Sequence, residues 1–247
     1  MFRWQPKTIA YMRDAAEYCG FNQILASKIT PYLPDGARVC DAGCGLGYLS
    51  LALSKYCRSV TAVDIEPLAL SVLSENVERR GIENIDVTEG DIAAFSSEIP
   101  FDAMIFSFFG GTREALLLGK KRCRGKVILI RKDWENHRFT IAKKSLKVTT
   151  LSGAASELEY FGIPYIRDIF SLQMGQPFRS LADAVDFFRI YSKDANAGKI
   201  SESDIMGRLE RISAGEFKYF MPSFESVGML IVDVCDIPEL PITEGIL

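Results

Sequence analysis

Val39-Cys40-Asp41-Ala42-Gly43-Cys44-Gly45-Leu46-Gly47-Tyr48-Leu49-Ser50 is the stretch whose reading decides the fold. Arg38 to Asp41 reads as a short buried strand running into a glycine-rich turn. Beyond the turn, Leu49, Ala52, Leu53 and Tyr56 fall at the spacing of one helical face. Strand, glycine turn and helix form the layout in which a backbone closely approaches a nucleotide-like ligand at a helix N-terminus. A dinucleotide turn has the form G-x-G-x-x-G, whereas Gly43, Gly45 and Gly47 follow G-x-G-x-G. Asp41 stands just before them. A carboxylate there repels a pyrophosphate and attracts an ammonium or sulfonium group, which disfavours a nicotinamide cofactor.

Downstream, Ser59-Val60-Thr61-Ala62-Val63-Asp64 is a β-rich run ending in an acid. Asp64 lies near the ~20-residue spacing at which a carboxylate follows a glycine turn to accept from ribose hydroxyls. Pro67 suits the first turn of a helix carrying Leu68, Val72, Leu73 and Val77, stopped by Gly81. With its D-x-G-x-G-x-G pattern, Asp41 to Gly47 resembles the first motif of the class I S-adenosylmethionine-dependent methyltransferases. The resemblance implies that Asp41 and the glycine backbone hold the methionine end of the cofactor. The run Ile85 to Ile92 is a third strand and its exit, where an acid followed by an apolar residue matches the family's adenine motif. By that resemblance Asp91 accepts from the exocyclic amine while the Ile92 backbone meets the ring. It further implies cofactor contacts from Gly43, Cys44, Gly45, Gly47, Tyr48, Leu49, Asp64, Ile65 and Ser107.

Phe101 to Gly111 reads as a nearly continuously apolar fourth strand, as a central parallel strand should. Methyltransferases of nucleic-acid bases usually carry an Asn/Asp-Pro-Pro-aromatic tetrad at this exit. Here Ser107-Phe108-Phe109-Gly110 stands instead, which disfavours that substrate class; Phe108 and Phe109 are candidates to line the cofactor or an apolar acceptor. Gly125 to Ile130 is a fifth strand leading into Trp134 and His137. His137, the only histidine, sits where a general base would be useful. Tyr11, Trp134 and Tyr165 complete the candidate substrate contacts.

The chain has 247 residues, 48% hydrophobic and 25% charged, the profile of a globular protein with a substantial core. Its formal net charge of −3 creates no global field demanding nucleic acid or membrane. Basic residues crowd between Lys120 and Lys147 and acids between Asp64 and Asp102. The basic block is interrupted by a strand and has few aromatic companions, so it reads as a solvated face and not as a nucleic-acid surface. No run approaches the ~18 apolar residues of a membrane span, and the N-terminal residues lack a signal peptide's apolar core, so the default expectation is cytoplasmic. Six cysteines without a C-x-x-C pair, beside a single histidine, argue against both a metal site and a disulfide framework. No oligomeric state can be read.

The expected fold is α/β: a doubly wound, Rossmann-like, seven-stranded and mostly parallel sheet with an antiparallel last strand. Residues 1–34 are expected to form an N-terminal helical cap and 35–177 the S-adenosylmethionine-binding core. Residues 178–215 are expected to form a helical insertion, including a helix with Ile205, Leu209 and Ile212 inward, and 216–247 the strands that complete the sheet. The expected activity is methyl transfer from S-adenosylmethionine to a small molecule. An RNA- or protein-modifying methyltransferase and a non-catalytic adenosylmethionine-binding protein share the same cofactor motifs.

Overall fold

The computed structural model describes residues 4–133, 139, 150–192 and 197–241. Two helices lead. In α1 (Pro6–Cys19) Pro6 occupies the first turn, where its missing N–H costs nothing, and Gly20 ends the helix at a φ of 64°. α2 (Phe21–Ile29) follows at once and buries Phe21, Leu25, Ala26 and Ile29.

The core begins with β1 (Arg38–Ala42), α3 (Tyr48–Leu53), β2 (Ser59–Asp64), α4 (Pro67–Arg79) and β3 (Ile85–Glu89). It continues through β4 (Phe101–Ser107), α5 (Thr112–Arg122), β5 (Cys123–Lys132), α6 (Leu151–Tyr160) and β6 (Ile166–Gln173). Then come β7 (Gln176–Phe178), α7 (Leu181–Tyr191), α8 (Glu202–Ile205), β8 (Glu210–Ala214), β9 (Phe217–Met221) and β10 (Phe224–Asp233). α7 starts where the Ser180 hydroxyl accepts from the Asp183 N–H. Among the described residues no helix is long and apolar enough to cross a membrane.

The main sheet has seven strands among the described residues, in the order β3-β2-β1-β4-β5-β10-β6. β1 to β5 pair in parallel, and β10 is antiparallel to both of its neighbours. The chain leaves β1 toward β2 and β3, then returns to the other side for β4 and β5. The gap between the β1 and β4 exits is therefore the switch point at which open α/β sheets take ligands. Both faces are covered, and alternation along β4 divides the core: Ala103 and Ile105 pack with α2, α3 and α4, while Met104 and Phe106 pack with α5 and α6.

Residues 178–215, expected as a helical insertion, hold strand as well as helix. β7, β9 and β8 form a small antiparallel sheet of their own. The expected helix through Ile205, Leu209 and Ile212 stops at Ile205; a 3-10 turn crosses Gly207, and Ile212 lies in β8. Half-buried Ile212 and Ala214 flank the exposed Ser213, the period of a strand, and a glycine at the break weakens helix continuation. β9 also belongs to the small sheet, so of the late strands only β10 enters the main one. A third cluster joins this insertion to the cap, with Tyr11 of α1 edge-on to Phe178 and Phe187.

Candidate cofactor-binding site

The three glycines of the turn adopt backbone that L side chains rarely enter, with φ of 68° at Gly43, 53° at Gly45 and 71° at Gly47. The Gly43 and Cys44 N–H groups donate to the Val63 carbonyl at 2.8 and 3.1 Å, tying the turn to the end of β2. Two of the glycines are also required for close approach. A Cβ on Gly43 would come within 2.3 Å of the Phe109 ring, and one on Gly47 within 2.3 Å of Leu73 from α4. Gly45 faces Trp4, which lies 3.3 Å from where its Cβ would be. The turn is a cradle of backbone, closed by aromatic rings on two sides.

Two carboxylates support it differently. Asp64, ending β2, accepts from the Gly45 N–H at 2.8 Å through Oδ2 and from the Glu66 N–H at 3.0 Å through Oδ1. Each oxygen keeps a further lone pair, so the group retains capacity for a diol beside the turn. Asp41 is only 1% exposed, and its Oδ2 accepts from the Ser50 hydroxyl at 2.6 Å. Burial pushes its carboxyl up to about 6; the Ser50 bond opposes the shift and the nearby Asp64 charge adds to it. Asp41 thus braces β1 against α3 from beneath the turn and does not present that oxygen to a ligand.

The remaining candidates spread around the strand exits. Cys44 is half-buried; burial, then the Asp41 and Asp64 charges, raise its thiol, so it stays protonated. Tyr48 and Leu49 open α3 and are buried, with the Tyr48 hydroxyl donating to Glu17 at 3.3 Å. Ile65 is exposed next to Asp64. Past β3, the Gly90 N–H donates to the Asp64 carbonyl at 2.9 Å, which brings Asp91 to the same rim. Asp91 Oδ1 accepts from the Ala93 N–H at 2.8 Å. The Ile92 side chain is buried, and its carbonyl accepts from Arg122 of α5, which also donates to the Ala93 carbonyl. Ser107 and Phe108 are half-buried at the β4 exit.

Other expectations separate from this rim. Tyr11 is 3% exposed and its hydroxyl is committed to Asp183, to the carbonyl and Oδ1 at 2.9 Å each. It joins cap to insertion. Tyr165 precedes β6, and β6 runs in the same direction as β1, so Tyr165 lies at the opposite end of the sheet from the turn. There its hydroxyl donates to Glu159 at 2.9 Å. This removes it from the substrate contacts, because strand order alone did not show which end of β6 faces the cleft. His137 and Trp134 lie outside the described residues. Sequence reasoning missed Trp4, Arg122 and Arg131; an arginine at a helix or strand end carries no signal that it turns inward. A cavity of about 660 Å³ lies between α1, α4 and β9, lined by Arg13, Glu17, Glu75, Arg79 and Glu216 among others. No residue of the glycine turn borders it, so its size gives it no part in this chemistry.

Residues 39–116 match the profile of a family described as methyltransferase domain. That segment spans β1, the glycine turn, Asp64, Asp91 and the β4 exit. Over this segment, 78 of the 247 residues, the chain is similar to a methyltransferase domain. A ribosomal protein L11 methyltransferase of Acetivibrio thermocellus is 42% identical over 69 residues, 28% of this chain and 22% of that protein. A ubiquinone biosynthesis O-methyltransferase of Methylocella silvestris is 31% identical over 107 residues, 42% of this chain and 41% of its own. The match thus spans under half the length of either relative. The crystal structure of the YcgJ protein of Bacillus subtilis superposes on this chain with a TM-score of 0.54 at 15% identity. That superposition covers 85% of this chain and 97% of the other, a likeness of fold.

Proposed function

We propose that this protein transfers a methyl group from S-adenosylmethionine to a small-molecule acceptor. The observation that carries the reading is the cradle itself: three left-handed glycines at the switch point, tied to Asp64 through the Gly45 N–H. Bound adenosylmethionine supplies an electrophilic sulfonium methyl. In the proposal the turn receives the methionine part along bare backbone, Asp64 accepts from the ribose hydroxyls, and Asp91 with the Ile92 backbone meets the adenine. Ser107, Phe108 and Phe109 form the wall on the acceptor side. Their task is alignment and exclusion of water, which contributes on the order of 7–11 kcal/mol when a nucleophile is held in line.

Titration calorimetry with adenosylmethionine tests the reading. Wild-type protein should bind, and Asp64→Ala should weaken binding about 10- to 100-fold, the loss of charge-assisted hydrogen bonds to two hydroxyls. Undiminished binding in that variant would remove the ribose assignment. Labelled adenosylmethionine offered with metabolite, protein and RNA fractions then identifies the acceptor. Label in the metabolite fraction is expected; label confined to protein or RNA would overturn the small-molecule part of the proposal.

A further inference from the structure

The geometry points to Arg131 as a positioning residue that holds the β4 exit turn, Ser107 to Gly110, against the glycine turn, an inference resting on the methyltransferase reading of the cleft. Arg131 ends the apolar run of β5 and is 2% exposed. Its Nη1 donates to the carbonyls of Phe106 at 2.9 Å and Ile130 at 3.1 Å, and its Nη2 to the carbonyl of Gly110 at 3.3 Å. The bonds to Phe106 and Gly110 bracket the turn that the wall residues occupy. The Ile130 carbonyl also accepts the Phe108 N–H at 3.0 Å, which fastens the middle of the turn to the same point. Phe108 is the one non-glycine residue with positive φ, 54°, among the described residues. A bulky residue holds that conformation only where its surroundings over-determine it. With the turn so held, the Phe109 ring lies where a Cβ on Gly43 would be.

Packing alone does not account for an arginine here. Its Nε has no partner, and its hydrogen bonds go to carbonyl oxygens, with Glu157 acting on it only through its field. Burial lowers its pKa to about 10, which still leaves it protonated at neutral pH. An aliphatic side chain would fill the space without desolvating a charge. What the guanidinium adds is several donors in one rigid plane, matched to carbonyls on either side of a strained turn. A lysine keeps the charge and lacks that geometry.

The test compares the ligand-free full chain with its Arg131→Lys and Arg131→Met variants by hydrogen exchange. Amides of residues 107–111 should exchange at least tenfold faster in both variants, with β1 and α3 unchanged. Arg131→Met should keep the wild-type Tm or exceed it, separating loss of the turn from loss of the fold. Adenosylmethionine should bind at least tenfold more weakly to both. Acceleration spread evenly over the sheet, an unchanged turn, or a Kd within twofold of wild type would overturn the inference. A wild-type protein that takes up no adenosylmethionine would instead sink the methyltransferase reading, and the exchange measurement would still decide whether Arg131 holds the turn.

Discussion

At the residue scale, Asp41 and Asp64 show how the same side chain does different work when one is buried and the other half-buried. Asp64 sits on the rim, with both oxygens already accepting backbone N–H groups. Asp41 is interior, and burial raises its carboxyl to about 6 from an ordinary value near 4. The stability consequence has a definite sign. Between those values the folded protein binds more protons than the unfolded chain, so stability is fullest below about pH 4 and falls as pH rises through about 6. Asp41→Asn keeps an oxygen for the Ser50 hydroxyl and removes the ionisation. In ligand-free urea denaturation it should exceed wild type by on the order of 2 kcal/mol at pH 7.5, with the gap closing toward pH 4.5. A gap that does not change across that interval would show that Asp41 carries no such penalty.

At the scale of elements, the glycine turn joins β1, α3, α4 and the β4 exit, and its third glycine makes the tightest helix contact. Gly47→Ala places a Cβ 2.3 Å from Leu73 while forcing a φ of 71° on alanine. Strain and overpacking together should cost on the order of 2–4 kcal/mol in denaturant unfolding, whether or not a ligand is present. A loss under about 0.5 kcal/mol would mean that α4 shifts freely and that the contact is not needed. This turn was legible in the sequence because everything defining it is local: the glycine spacing, the helical face after it, and an acid at the end of the next strand. The parallel strands were legible for the same reason, through short apolar runs bounded by turns. Contacts made far apart in the chain were not. Arg131 reads as the start of a basic exit loop until the carbonyls of Phe106 and Gly110 are seen around it. Tyr11 reads as a cleft residue until Asp183 and Phe187 arrive from the insertion. The helix expected through Ile212 followed apolar spacing over too few residues, where strand alternation fits as well.

For the whole molecule, cap and insertion form one flank. Gln176 donates to the Tyr11 carbonyl at 3.1 Å, and Arg179 meets Asp14 of α1 and Glu216 of the insertion. The main sheet is completed in a different order from the one in which it is written. β10 enters between β5 and β6, pairing Val227 to Asp233 with Lys132 to Lys126 on one side and Phe224 to Ile231 with Gln173 to Ile166 on the other. During synthesis, therefore, β5 has an open and strongly apolar edge while roughly 90 later residues are still being added, on the order of 5–20 s at ordinary elongation rates. Such an edge is a template for pairing with other chains. A chain ending at Ser223 should sediment as aggregates and regain the sedimentation of the full chain when a peptide of residues 224–233 is supplied during refolding. A truncated chain that sediments like the full chain would show that the half-sheet protects its own edge. The strand that seals the sheet is thus also its folding checkpoint: the nascent chain is exposed to association until β10 has been made.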